Sequence, residues 1–350
     1  MAGREPRNPC SRATCLPAHR GPVKVAVVHN EPLPGKPDSQ DVLNEVRLVA
    51  LSLEELGLPH RIFGVDGRPG GFMRALEELT AYGPAVVFNL VEGIGDDPRL
   101  SPAMASCFDL AGFPYTGSPF EALIATTDKF LTKAVLSAHG IPTPAWQKYC
   151  GEGEPIHLTG PLIAKPAWED ASVGIDDESV FFSPESVLRE VHERFVSHQR
   201  QPFIIEEFID GREFNVSLLE HPDGRVEVLP LAEMSFREWP PGKPRILNYR
   251  AKWVETSFEY THTRRQFDSA AAAAEAITSV ALRCWRSFGL RGYARVDLRL
   301  DPRDAVHVIE VNTNPCIAPD SGFMAAARQG RYLPRDIVET LIMTAMRERR

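Results

Sequence analysis

Apolar and polar residues alternate along this chain in two distinct periods. VKVAVVH (23–29), PHRIFGV (59–65) and AVVFNL (85–90) are short apolar runs bounded by turn formers, and they predict strands. Between them, DVLNEVRLVALSLEELG (41–57) and GGFMRALEELTAYG (70–83) space apolar residues three and four apart, which predicts helices; the first stops at Gly57. Strand–helix–strand–helix–strand predicts a doubly wound α/β unit. Further helices are predicted at about 100–111 and, as one continuous element, at about 119–139, ending at HGIPTP. From about 145 short strands dominate: AWQKY, PLIAKP, FIIEEF, EFNVSLL and RVEVLPL, interrupted by one helix near 184–198. A long polar, Pro-rich segment comes next at 235–262, then a helix over SAAAAAEAITSVALRCWRSFG, strands GYARVDLRL (292–300) and AVHVIEVN (305–312), and closing helices near 321–329 and 334–349. The fold class is therefore α/β followed by α+β.

The last two strands carry the candidate chemistry. They flank DPRD (301–304), a compact turn with Pro at its second position, and should pair as an antiparallel hairpin. With the turn centred between Arg303 and Asp304, opposed residues sum to 607, so Asp297 faces Glu310 and Arg295 faces Asn312. Side chains alternate across a strand. Arg295, Asp297, Glu310 and Asn312 then share one face, with Ala294, Val296, Ile309 and Val311 on the other. Two adjacent carboxylates repel unless something neutralises them. A carboxylate pair plus a carboxamide oxygen suits a hard cation such as Mg²⁺ held with substrate phosphates. The plain alternative is a solvated face with an Arg–carboxylate network.

Composition narrows the class. The 350 residues are 43% hydrophobic and 25% charged, with a net charge of −8, which is ordinary globular composition. No basic domain marks a nucleic-acid protein, and no run of 18 apolar residues marks a membrane span. Residues 1–21 are rich in Pro and Arg, lack the apolar core of a secretory signal, and are expected to form a disordered tail. The six cysteines include no CxxC pair, and Cys10, Cys15 and His19 lack zinc-type spacing. A reduced, cytoplasmic protein is expected.

The motifs VFNLVEG, GFPYTGS, DKFLTK, GIPTP, IAKPAWEDASVGI, EEFIDGREFNV, YRAKW, GYARVDLRL and EVNTNP occur in one order over about residues 23–345. In that order they resemble the ATP-grasp superfamily and, within it, the D-alanine–D-alanine ligases. The resemblance implies an ATP-grasp fold: an N-terminal α/β domain at 22–125, a central subdomain at 126–213, and a C-terminal subdomain at 214–350 with a mobile lid at 235–262. It implies that Lys129 and Lys165 hold the ATP phosphates and that Ser172, Val173 and Gly174 form the loop over them. Glu206 and Glu213 match positions on adenine and ribose; Ile209 lies in the same stretch, and adjacent Glu207 takes the place of Glu206 if the register slips. Lys252 matches a lid lysine that reaches the transferred phosphate. Arg295 matches the arginine that stabilises the oxyanion, and Asp297, Glu310 and Asn312 match the ligands of one or two Mg²⁺ ions, with Mn²⁺ an alternative. Ser321 and Gly322 match a region that touches the second amino acid's carboxylate.

The same resemblance implies an ATP-dependent, ADP-forming ligase that joins a carboxylate to an amine through an acyl phosphate, acting on amino acids or peptides, with a homodimer as an expectation. The substrate end departs from the family. The first loop, HNEPLPGKPDSQD, lacks the Gly- and Ser-rich pattern and its glutamate, leaving Glu45, Asp41 or Glu31 to hold a substrate ammonium. Glu92-Gly93 stands where the family has His-Gly, Ala171-Ser172 where it has two serines, and Trp253 where it has tyrosine. A ligase with a substrate other than D-alanine is the first alternative, and a non-catalytic nucleotide binder or a small-molecule kinase are the others.

Overall fold

In the first sheet of the computed structural model every residue of Val25–Asn30 (β1) is buried, because helices cover both sides of it. The structure describes residues 23–347 apart from 34, 37–39, 69, 96, 152–154, 268 and 271. The expected tail, with Cys10, Cys15 and His19, lies outside the described residues. Strand β1 sits between His60–Val65 (β2) and Val86–Leu90 (β3), all parallel. Parallel strands buried on two faces read as continuous apolar runs, which is the pattern in the sequence. On one face Val25 and Val27 meet Val46, Val49 and Leu53 of helix Val42–Glu55 (α1). They also meet Ile337, Leu341 and Ile342 of the chain's last helix, Pro334–Arg347. On the other face Ala26 and Val28 meet Leu79 of Gly71–Tyr82 (α2) and Met104 and Phe108 of Ser101–Ala111 (α3). Burying a side chain of this size contributes about 1.5–3 kcal/mol.

The helix predicted over 119–139 is two helices, Phe120–Thr127 (α4) and Lys129–Ala138 (α5). Asp128 breaks the run with extended backbone, and its carboxylate caps the second helix, accepting from the N–H groups of Phe130 at 2.8 Å and Leu131 at 3.2 Å. The break puts Lys129 at the first turn of α5, where its N–H donates to the carbonyl of Ala167.

A four-stranded antiparallel sheet comes next, in the order Trp146–Tyr149 (β4), Phe203–Glu207 (β7), Leu162–Pro166 (β5), Val180–Phe181 (β6). Helix Pro184–Ser197 (α6) packs Val187 and Val191 against one side of it. The second antiparallel sheet is larger. Arg212–Glu220 (β8) lies between Ala232–Phe236 (β10) and Tyr293–Leu300 (β12), with Val226–Val228 (β9) paired to part of it, Val306–Asn312 (β13) beyond β12 and Thr263–Gln266 (β11) on the far edge. Its back is covered by Ile277, Ala281 and Cys284 of Ala274–Ser287 (α9).

The polar segment at 235–262 is partly regular. It contains the end of β10 and two single-turn helices, Tyr249–Trp253 (α7) and Phe258–His262 (α8), capped by the side chains of Asn248 and Ser257. Five-residue helices are shorter than one repeat of the apolar pattern, so periodicity does not reveal them. Helix Gly322–Gln329 (α10) begins beyond the NTNP turn.

The hairpin confirms the register at the site and corrects its reason. Arg295 faces Asn312 and Asp297 faces Glu310, but beyond that point Leu298 pairs with Val308 and Leu300 with Val306. The turn is therefore centred on Arg303, half a residue from the assumed point. A β-bulge at Ile309 takes up the difference. It also moves two side chains off the predicted faces: Val308 is fully buried in the apolar core, and Ile309 lines the cleft with Glu310 and Asn312.

Candidate active site

The two antiparallel sheets face each other across a cleft of about 530 Å³. The smaller sheet contributes Ile163, Lys165, Glu206 and Glu207; the larger contributes Glu213, Asn215, Arg295, Asp297, Arg299, Ile309, Glu310 and Asn312. Strand alternation explains this set. In β12 the apolar residues Ala294, Val296 and Leu298 point into the core behind, so Arg295, Asp297 and Arg299 point forward.

Asp297 is held on every side. Arg295 donates to it through both arms of its fork, at 2.8 and 2.9 Å, Asn215 at 2.8 Å and Asn312 at 3.3 Å. The Arg–carboxylate network exists, but it is buried rather than solvated: Asp297 is only 5% exposed. Lys129 lies 3.8 Å from both Glu310 and Asp170, and it donates to the carbonyl of Glu169. Burial raises the Glu310 carboxyl, but Lys129, Lys252, Arg295 and Lys165 outweigh it and hold the group below its usual range. Burial and the neighbouring Arg295 push Lys252 down, only partly offset by Glu310 and Asp297. Arg295 goes up: burial opposes its charge, and Asp297 more than compensates.

Glu206 is the deepest carboxylate, 1% exposed. Its Oε2 accepts from Lys133 at 3.0 Å; its Oε1 lies 3.4 Å from Lys165 yet receives no hydrogen bond among the described residues. Burial would raise its carboxyl, and the two lysines bring it below the ordinary value instead. Lys133 also donates to Thr143 at 2.6 Å, and burial lowers its ammonium to about 8. Arg299 fixes Glu213 with contacts of 2.6 and 3.0 Å and donates to the carbonyl of Ile209 at 2.7 Å. Next to these, Ile163, Phe208 and Ile246 form a small apolar cluster fit for a flat ring.

The segment 168–177 roofs the cleft. Ala171, Ser172 and Gly174 all have positive φ, at 52°, 63° and 72°. Left-handed backbone in non-glycine residues costs energy and concentrates at functional loops. The 235–262 segment is clasped onto this roof. Ser172 donates to the carbonyl of Leu247 at 2.6 Å, Trp253 to that of Ala171 at 3.0 Å, and Asn248 to Asp177 at 2.9 Å. Lys243 bridges Asp177 and Glu259.

Of the residues read from the sequence, Lys129, Lys165, Ser172, Glu206, Glu207, Ile209, Glu213, Lys252, Arg295, Asp297, Glu310, Asn312, Ser321 and Gly322 all line the cleft. Val173 and Gly174 belong to the roof but do not face the cavity, and neither do Glu45 and Glu92. Glu45 is buried behind the wall, where it accepts from the N–H of Ile317 at 2.9 Å; burial and then Glu92 raise its carboxyl well above the usual range. Asp41 is the acid of the first loop region that reaches the cleft, and its Oδ2 accepts from the thiol of Cys316 at 3.2 Å. Sequence reading missed Lys133, Arg299 and Arg265. Lys133 lies one helical turn after Lys129 and Arg299 continues the alternation of Arg295 and Asp297, so both carried a signal.

The donors fit a nucleotide and a hard cation. The orphaned Glu206 Oε1 can accept from an amino group beside the apolar cluster, and Lys129, Lys165 and Lys252 offer charge to phosphates. Among the described residues no three His, Cys, Asp or Glu side chains converge on one point. Two carboxylates and a carboxamide, Asp297, Glu310 and Asn312, stand together on the larger sheet's side of the cleft, which suits Mg²⁺ shared with phosphate oxygens.

Lys133 supports a stability test. Replacing it with methionine leaves Glu206 buried with Lys165, 3.4 Å away, as its remaining cation, and breaking such pairs costs about 3 kcal/mol. The variant should unfold at visibly lower urea; an unchanged midpoint would mean that Lys165 alone neutralises Glu206.

Residues 139–343 match the family model described as the D-ala D-ala ligase C-terminus. The chain is 30% identical over 307 residues to the uncharacterized protein y4sG of Sinorhizobium fredii, covering 85% of this chain and 86% of that one. It is 33% identical over 260 residues to the D-alanine–D-alanine ligase of Bordetella pertussis, covering 73% and 76%. The crystal structure of D-alanine–D-alanine ligase from Bacillus anthracis complexed with ATP superposes with a TM-score of 0.71 at 18% identity, over 93% of this chain and 98% of that one. No helix among the described residues is long and apolar enough to cross a membrane.

Proposed function

The chain belongs to the D-alanine–D-alanine ligase family of ATP-grasp proteins, ATP-dependent, ADP-forming ligases that join a carboxylate to an amine, and from that premise we propose that it works through an acyl phosphate on an amino acid other than D-alanine. What supports the reading most is the convergence of Lys129, Lys165, Lys252 and Arg295 with Asp297, Glu310 and Asn312 on one cleft.

In this reading residues 126–213 and 214–350 are the jaws that hold the nucleotide, and 235–262 is the lid. Asp297, Glu310 and Asn312 would hold Mg²⁺, which when bound shields the phosphate charge. Lys129, Lys165 and Lys252 orient the phosphates, so that an oxygen of the substrate carboxylate attacks the γ-phosphorus in line and ADP departs. The amine nitrogen then attacks the acyl carbon. Arg295 stabilises the oxyanion, the carbon–oxygen bond to phosphate breaks, and the nitrogen loses its proton. The clasped lid keeps water from the acyl phosphate. Asp41, facing the cleft, holds the ammonium of the acid substrate.

The departures at Glu92, Ala171 and Trp253 support a substrate other than D-alanine; Ala171 and Trp253 both line the cleft, and the Trp253 indole N–H donates to the carbonyl of Ala171. The test is ADP release with Mg-ATP against single and paired D- and L-amino acids, with product masses recorded. Turnover on pairs without D-alanine is the expected result. Efficient D-alanyl-D-alanine formation would refute the substrate part of the reading, and ADP without a condensed product would refute the ligase mechanism.

A further inference from the structure

Arg299 has no part in the chemistry above, yet it lines the cleft and is only 4% exposed. Its Nε and Nη2 donate at 3.0 and 2.6 Å to the same oxygen of Glu213, Oε2. Its Nη1 donates to the carbonyl of Ile209 at 2.7 Å, and Nη2 also donates to that of Arg245. The guanidinium carbon lies 5.1 Å from the centre of the Phe208 ring. The usual arginine–carboxylate pair sets one donor against each oxygen. Arg295 and Asp297 pair in that way. Arg299 and Glu213 do not. Both contacts fall on Oε2, so Oε1 of Glu213 has no hydrogen bond among the described residues, although the side chain lines the cleft and is 5% exposed. A carboxylate oxygen so placed is an acceptor open to a ligand's donor.

Position says which donor. Ile163, Phe208 and Ile246 form the patch for the flat ring, and Lys129, Lys165 and Lys252 face the phosphates. The sugar of a nucleotide joins those two parts. Arg299 touches both Glu213 and Phe208, which sets the carboxylate beside the ring patch, where a sugar hydroxyl can donate to it. The other two contacts fix the guanidinium from both sides. Ile209 lies in the connection between β7 and β8, which belong to the two facing sheets, and Arg245 lies in the 235–262 segment.

Resting on the nucleotide site of the ligase reading above, we propose that Arg299 is a positioning residue for sugar selectivity: by holding Oε2 it turns Oε1 of Glu213 toward the ribose, so that the cleft takes a ribonucleotide over a deoxyribonucleotide. Glu213 touches the sugar, and Arg299 acts through it. No step of the reaction changes.

The experiment measures equilibrium binding of the Mg²⁺ complexes of ATP, 2′-deoxy-ATP and 3′-deoxy-ATP to the full chain. A hydroxyl donating to a carboxylate should make ATP bind roughly tenfold or more tighter than the weaker of the two analogues. Arg299→Lys keeps a charge against Glu213 but cannot hold Oε2 and both carbonyls together. In that variant the ratio should fall to about one, with ATP weakened and the analogue little changed. Arg299→Gln should lose the ratio as well. A urea midpoint for each variant shows that it is folded. If neither variant folds, the unaltered protein still decides: equal binding of ATP and both analogues overturns the proposal and leaves the ligase reading intact. A ratio that survives in Arg299→Lys and Arg299→Gln overturns it too. Equal weakening of ATP and the analogues would assign Arg299 a structural role and do the same. No binding of ATP at all would remove the nucleotide site, and the ligase reading would fall together with this proposal.

Discussion

Glu310→Gln should lower kcat/KM by roughly 10³-fold and shift the Mg²⁺ concentration for half-maximal rate upward. The substitution keeps shape and removes one charge, so the effect isolates electrostatics. A hard cation prefers an anionic oxygen, and its contribution to transition-state charge stabilisation is several kcal/mol, each 1.36 kcal/mol being tenfold in rate. The structure supplies a competing effect. Glu310 also faces Lys129 at 3.8 Å and stabilises the protonated form of Lys252, so its loss leaves uncompensated cations even without metal. The two effects separate in the measurement. A metal ligand predicts a rate that recovers in part at high Mg²⁺. A purely structural counter-charge predicts a lower melting temperature and a Mg²⁺ midpoint that does not move, and that second outcome would remove Glu310 from the ligand set.

Much of this site could be read from period and spacing, because the strands that build it are buried on one face and functional on the other. Arg295, Asp297, Glu310 and Asn312 emerged from parity in a hairpin, and the structure pairs them as expected. The pairing survived an error. The turn centre was misplaced by half a residue, and the bulge at Ile309 restored the register on the far side. Nothing in AVHVIEVN announces a bulge, since Val308, Ile309 and Val311 are interchangeable to an apolar pattern. The helix break at Asp128 was legible in principle, as an N-cap within an apolar run, but the run on either side hid it.

Other features were illegible because they depend on contacts between distant segments. Glu45 looked like a substrate ligand in sequence, yet it is engaged by the N–H of Ile317, 272 residues away, while Asp41 one turn earlier reaches the cleft. Lys133 was not singled out in the sequence. It is buried because Glu206, from another sheet, meets it. Arg265 sits in a segment that reads as polar loop and becomes an edge strand only through pairing with β10. Local pattern cannot encode such long-range neutralisation; burial of a charge becomes tolerable only once its partner is in place.

Arg295→Met should cut formation of the condensed product by roughly 10²–10³-fold, the usual loss when one oxyanion donor is removed. The informative part is what happens to the earlier step. If Arg295 acts mainly on the tetrahedral intermediate, acid phosphorylation continues, ADP release outlasts product formation, and hydroxylamine traps the acyl phosphate as a hydroxamate. The structure gives reason to expect some loss there too, because Arg295 holds Asp297 through both arms and Asp297 is a proposed metal ligand. Arg295→Lys separates the roles: it keeps a positive charge near the oxyanion but cannot grip both oxygens of a carboxylate. Product formation restored more than Mg²⁺ affinity would place the arginine's charge at the acyl carbon. A parallel fall of ADP, hydroxamate and product in both variants would instead make Arg295 a positioning residue for Asp297, and the oxyanion would then have to be met by another donor of the cleft.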